Sequence, residues 1–205
     1  HPIDSDDEED KKLNPYNFNK KLITKEDIIR ILIQFDIEHE PHNLELYQRA
    51  FTHKSYSKTK NDLNDIVDKP EGALELRDTD SERLEFLGDS VLGLSVCNYL
   101  CERYPDQQEG FLTNLKTKLV RAEALSYFAT ELGLGELILM SRHVEDKCNG
   151  RKSTKILEDT FEAFIGALFI DFNSTLIDKH PFDFDTGVGY QVCNTFLVNL
   201  IESKV

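Results

Sequence analysis

Between Glu82 and Leu92 the chain reads Glu-Arg-Leu-Glu-Phe-Leu-Gly-Asp-Ser-Val-Leu, with acids and large apolar residues interleaved. The spacing predicts a helix, because residues three and four apart share one helical face. Glu82, Glu85 and Asp89 then stack in a line, with Leu84, Leu87, Val91 and Leu92 packing beside them. A partly buried, unpaired carboxylate costs on the order of several kcal/mol unless something positive meets it. A solvated acidic face is the ordinary alternative for one such helix. A second run weighs against it. Glu158 to Ala167 again sets Asp159 and Glu162 three apart among Phe, Ile and Ala, with Gly166 allowing close helix approach. Packed together, two such helices bring four carboxylates to one point. Two carboxylates about 5 Å apart repel by roughly 3 kcal/mol at an effective dielectric near 20, about two pKa units. Such a cluster takes up protons or binds a cation, and carboxylate oxygens favour hard cations such as Mg²⁺ or Mn²⁺.

Other segments add to these two. Ala50-Phe51-Thr52-His53-Lys54-Ser55-Tyr56 precedes the first acidic helix. Asp106 to Val120, with Glu109-Gly110 and Leu119-Val120, follows it. Lys155 to Ala163 opens the second. In kind and order these segments resemble the ribonuclease III family of double-stranded-RNA endonucleases, and the resemblance extends over most of the chain. It implies an all-α, dimer-forming endonuclease domain. Glu85, Asp89, Asp159 and Glu162 match the metal-site carboxylates, with Asp89 and Glu162 the active-site pair. Glu82 and Glu109 match further acids bordering the cleavage groove. Lys155 matches a catalytic-site lysine of the eukaryotic, Dicer-like branch. Phe86 matches an aromatic that inserts into the partner subunit; an ordinary core Phe is the alternative.

The resemblance further implies Mg²⁺-dependent hydrolysis, with Mn²⁺ able to substitute. It implies 5′-phosphate and 3′-hydroxyl ends with short 3′ overhangs, and a homodimer with one site per subunit. Duplex RNA would be read mainly by shape and 2′-hydroxyl contacts. A non-catalytic duplex-RNA binder or assembly module on the same fold is the main rival. Relatives of that kind tend to lose carboxylates, and here all four are present. An unrelated all-α phosphohydrolase of small nucleotides is a third reading.

The net charge of −14 is unfavourable for gripping a polyanion. Six of the 38 acids fall in the first ten positions, and the remainder still counts eight more acids than bases. Cations cluster at Lys116, Lys118 and Arg121, and again from Arg142 to Lys155, so Lys116, Lys118, Arg151 and Lys152 are the candidate RNA contacts. The acidity points to a separate RNA-binding partner. No apolar run approaches a membrane span. The four cysteines show no paired metal spacing, and Cys97 and Cys101 read as core positions of a helix. Free thiols suggest an intracellular, reducing compartment.

Residues 1–12 read as a disordered acidic tail, and 13–205 as one endonuclease domain with loop insertions at 57–80 and 173–189. Thr24 caps a helix with Asp27 three residues later, an imperfect capping box because Asp is short. Further helices are expected from Leu44 to Phe51, from Asp80 or Ser81 to about Tyr104, and over Leu112–Arg121 and Ala122–Leu132. Two more are expected, from Ser153 or Thr154 to Phe172 and from Gln191 to Ser203. Residues 141–153 read as a basic loop. No strand is expected, and no double-stranded-RNA-binding domain is recognisable.

Overall fold

The computed structural model describes residues 14–18, 20–58, 66–173 and 187–204. The expected acidic tail lies outside these residues, as do parts of both expected insertions. Eight α-helices are present among the described residues: α1 (Lys25–Ile33), α2 (Leu44–Ala50), α3 (Glu82–Arg103), α4 (Glu109–Val120), α5 (Ala122–Glu131), α6 (Arg142–Lys147), α7 (Thr154–Asn173) and α8 (Gly187–Lys204). Among the described residues there is no extended strand; isolated bridges include Phe18–Ala73, Thr52–Leu139 and Ser57–Arg77. The architecture is all-α.

Local signals set the helix ends. Thr24 and Asp27 form a complete capping box, so the shorter acid does reach: Asp27 N–H donates to Thr24 Oγ1 (3.2 Å) and Thr24 N–H to Asp27 Oδ2 (3.1 Å). At the start of α3, Asp80 supplies the capping oxygen, Oδ1 accepting from Glu82 N–H at 3.2 Å. Ser81 holds the N-cap position without a side-chain bond. Pro105 follows soon after and disfavours further helix. Gly133, with φ of 71°, ends α5 in the left-handed conformation.

The expected basic loop is instead structured. Ser141 caps α6, Arg142 and Asp146 pair across one turn at 3.2 Å, and a 3-10 turn spans Gly150–Lys152. Cys97 is half-buried and Cys101 exposed, so the reading of Cys101 as a core residue is corrected. α3 spends that side of its surface on solvent.

α7 is the central element and packs most extensively on α3, then on α5 and α8. The α3–α7 crossing is set by glycine. A Cβ at Gly88 would lie 1.7 Å from the Glu162 carbonyl oxygen, and one at Gly166 would lie 2.2 Å from the Leu84 carbonyl oxygen. The backbones therefore touch beside the predicted acids. At the far end of α7, buried Asp171 accepts from His42 N–H (3.0 Å), Asn43 N–H (2.7 Å) and Tyr47 Oη (2.9 Å), tying α2 to α7. A smaller cluster of Tyr16, Tyr56, Ala73, Leu76 and Leu139 seats the described part of the 57–80 segment.

Candidate metal centre

Glu85 on α3 and Asp159 and Glu162 on α7 each offer one carboxylate oxygen, and these lie within 4.8 Å of one another. The backbone contact at Gly88 and Gly166 holds the two helices close beside these acids. Glu162 is buried, 8% exposed, and Glu85 and Asp159 are partly buried. Burial raises the pKa of Glu162 to about 8, with the charges of Asp89, Glu158, Glu85 and Asp159 acting in the same direction. Burial and the Asp159 charge likewise push Glu85 above its ordinary value.

The donor set fits a hard divalent cation, since three carboxylates supply only oxygen. The chemistry around them agrees: Asp159 Oδ1 is buried and is met by the Lys155 ammonium at 2.6 Å, so this point of the fold already holds a positive charge against the acids.

The other expected residues fall around this point. Asp89 is exposed on α3 and outside the converging three, although its charge reaches Glu162. Glu82 pairs with Lys54 Nζ at 3.1 Å. Glu109 is exposed on the first turn of α4 and accepts from Thr113 Oγ1 at 2.8 Å, outside the cluster. Phe86 is 80% exposed, which removes the reading of a core Phe within this chain. Lys118 and Lys152 are exposed and Lys116 is half-buried.

Arg151 is a correction. Its guanidinium donates to Glu145 Oε1, to the Gly135 carbonyl and, at 3.2 Å, to the Ile138 carbonyl. It is largely buried and braces the segment before α7 rather than facing a phosphate.

Two neighbours escaped the reading of the sequence as site residues. Glu158 lies 3.6 Å from Lys155 Nζ at the edge of the cluster. His53 is held with Nδ1 accepting from Ser55 N–H (3.2 Å) and 2.8 Å from Ser55 Oγ. Burial, then the Lys54 charge, lower its pKa, while Asp159 acts in the opposite sense. The available signal for His53 was its place in the Phe51–Tyr56 segment.

Residues 82–173 match the model of the ribonuclease III domain. A "probable ribonuclease 3" of Acanthamoeba polyphaga mimivirus is 34% identical over 163 residues, 78% of this chain and 30% of that protein. A ribonuclease 3 of Staphylococcus carnosus is 40% identical over 155 residues, 76% of this chain and 55% of that protein. The solved nuclease domain of ribonuclease III from Campylobacter jejuni superposes with a TM-score of 0.64 at 30% identity, covering 87% of this chain and 93% of that one. A second structure of that domain, concerned with flexibility in a region involved in dimer formation, gives 0.62 at 31% identity, covering 85% and 96%. The chain belongs to the ribonuclease III family. It spans between about a third and just over half of the length of these two curated relatives. Among the described residues, no helix is long and apolar enough to cross a membrane.

Proposed function

We propose that this chain is a divalent-cation-dependent endoribonuclease acting on double-stranded RNA and leaving 5′-phosphate and 3′-hydroxyl ends. The observation that carries the reading is the convergence of Glu85, Asp159 and Glu162 on one point, within a domain of this family. Mg²⁺ is the proposed resident ion, with Mn²⁺ a substitute, held by these three carboxylates and by Asp89 at the exposed rim. When bound, such an ion activates water and offsets negative charge on the scissile phosphate. The chain's own groups do the rest. The glycine contact of α3 on α7 fixes the spacing of the acids. Burial and the neighbouring acids raise the pKa of Glu162 to about 8, so without a cation it holds a proton near neutral pH. Water attacks phosphorus and releases a proton to solvent, the bond to the 3′ oxygen breaks, and that oxygen takes a proton from solvent to leave as a hydroxyl.

Exposed Phe86 lies beside a groove lined by Arg49, Glu82, Leu87 and Ile170, so one copy's Phe86 would enter the other copy's groove in a homodimer. Lys116, Lys118 and Lys152 are the proposed phosphate contacts. The acidic balance implies that a separate basic partner supplies part of the RNA affinity. The free thiols at Cys97, Cys101, Cys148 and Cys193 fit an intracellular, reducing setting.

Labelled duplex RNA incubated with Mg²⁺, and with Mg²⁺ plus EDTA, tests this. Cutting with Mg²⁺ alone is expected, lost in Asp89→Asn and Asp159→Asn while both variants keep the wild-type circular dichroism. Binding without cutting by the unaltered chain would refute the enzymatic reading.

A further inference from the structure

The carboxylate site contains a cation of the chain's own. Lys155 lies one turn before Asp159 on α7. Its Nζ sits 2.6 Å from Asp159 Oδ1, 3.6 Å from Glu158 Oε2 and 4.0 Å from Glu85 Oε1. Asp159 and Glu85 are two of the three residues whose oxygens converge. The ammonium therefore neutralises charges that a divalent ion would also meet. The ammonium is held from one side and open to water on the other, the Lys155 side chain being 68% exposed. A flexible four-carbon stem lets the ammonium move without any change of backbone. Glu158 offers a second anion within reach, and it is not one of the converging three.

We propose that Lys155 is a resident counter-ion that stabilises the metal-free site and competes with the divalent cation, and that Glu158 receives its ammonium when the cation enters. This rests on the reading of Glu85, Asp159 and Glu162 as a cation site. A +1 group close to Asp159 opposes the arrival of a +2 ion, so the cation binds with the affinity left after the ammonium has shifted. Without the cation, the same group relieves repulsion among acids that the fold forces together. Lys155 thus lowers cation affinity and raises the stability of the empty site, two effects of one contact.

The test uses the whole chain, stripped with EDTA and titrated with Mn²⁺ by calorimetry, with thermal melts before and after saturation. Lys155→Met keeps most of the stem and removes the charge. It is expected to bind Mn²⁺ about tenfold more tightly, equivalent to about 1.4 kcal/mol. In EDTA it is expected to melt below the wild type, and when saturated with Mn²⁺ at the wild-type temperature. Lys155→Arg retains the charge and is expected to stay nearer the wild-type affinity. Glu158→Gln is expected to weaken Mn²⁺ binding several-fold, by an amount that shrinks when Lys155→Met is also present. Unchanged or weaker Mn²⁺ binding by Lys155→Met overturns the proposal. If Mn²⁺ binds equally to both proteins, only this inference fails; if it binds to neither, the cation site itself is refuted.

Discussion

Glu162 is the group whose ionisation most opposes the metal-free fold. Its pKa rises from 4.5 to about 8, burial being the main cause and the charges of Asp89, Glu158, Glu85 and Asp159 adding to it. The folded-state value lies above the unfolded one. Between those two values the folded chain holds the proton more tightly than the unfolded chain, so stability falls as pH rises through this window. The penalty is absent below the unfolded value and complete above about 8. At about 1.4 kcal/mol per pKa unit the ceiling is about 5 kcal/mol. Water on the open side of the site screens much of that, leaving about 1–2 kcal/mol. Glu162→Gln keeps the shape of the protonated acid and never ionises. In EDTA, urea unfolding should show the Gln variant gaining on the wild type as pH rises from 5 to 8.5, ending about 1–2 kcal/mol more stable. Saturating Mn²⁺ should then stabilise the wild type strongly and the variant little. A difference that does not vary with pH, or a Gln variant less stable at pH 8.5, would refute the account of Glu162 as a carboxyl kept protonated by burial and neighbouring charge.

Gly88→Ala forces a Cβ to 1.7 Å from the Glu162 carbonyl oxygen, so α3 and α7 must separate. A loss of about 3 kcal/mol or more is expected in urea unfolding, and wild-type stability would contradict the crossing. Glu145 accepts from Arg151, Lys20 and Asn17, and these bonds outweigh the upward push of burial to hold its pKa at about 2. Because the folded value is depressed, this stability is present above the ordinary Glu value and is lost as pH falls from about 4.5 toward 2. Glu145→Gln should cost about 1–2 kcal/mol at pH 7 and flatten that part of the acid-unfolding curve. Phe86→Ser should shift the chain from dimer to monomer in sedimentation velocity without loss of helix; an unaltered dimer would exclude Phe86 from the interface.

The two acidic helices were legible because their information is local. Spacings of three and four fix which residues share a face whatever packs against it. The spacings therefore group Glu85, Asp89, Asp159 and Glu162, of which the structure brings three together and leaves Asp89 exposed outside them. Gly166 was readable as a point of close approach, whereas Gly88 gains its meaning only from the carbonyl of Glu162 opposite. The fate of isolated charges was not legible. Arg151 sits in a basic stretch and reads like its neighbours Lys152 and Lys155. Its environment is decided by the carbonyls of Gly135 and Ile138 and by Glu145, which the fold brings to it. Asp171 is equally opaque in sequence: an acid near a helix end reads as solvated until the amides of His42 and Asn43 arrive from another helix. Exposure of Cys101 follows from the same limit: α3 buries Val96 and Leu100 but leaves residues 101–103 in solvent, which the helical spacing alone does not reveal.

The site and the core are one contact. Bringing Glu85 within reach of Asp159 and Glu162 is electrostatically unfavourable, and nothing in those three side chains offsets it. The compensation lies alongside, where Gly88 and Gly166 let α3 and α7 touch backbone to backbone and where α7 buries Phe161, Phe164, Ile165 and Leu168. Apolar burial of about 1.5–3 kcal/mol for each such side chain, taken over these four, exceeds the roughly 3 kcal/mol of repulsion between a pair of acids. The helices therefore stay together with the acids opposed, and on the proposed function the residual negative charge is what would recruit a cation. Gly88→Ala is consequently expected to damage stability and Mn²⁺ binding together, whereas Glu162→Gln is expected to separate them, raising the stability of the metal-free chain while weakening Mn²⁺ binding.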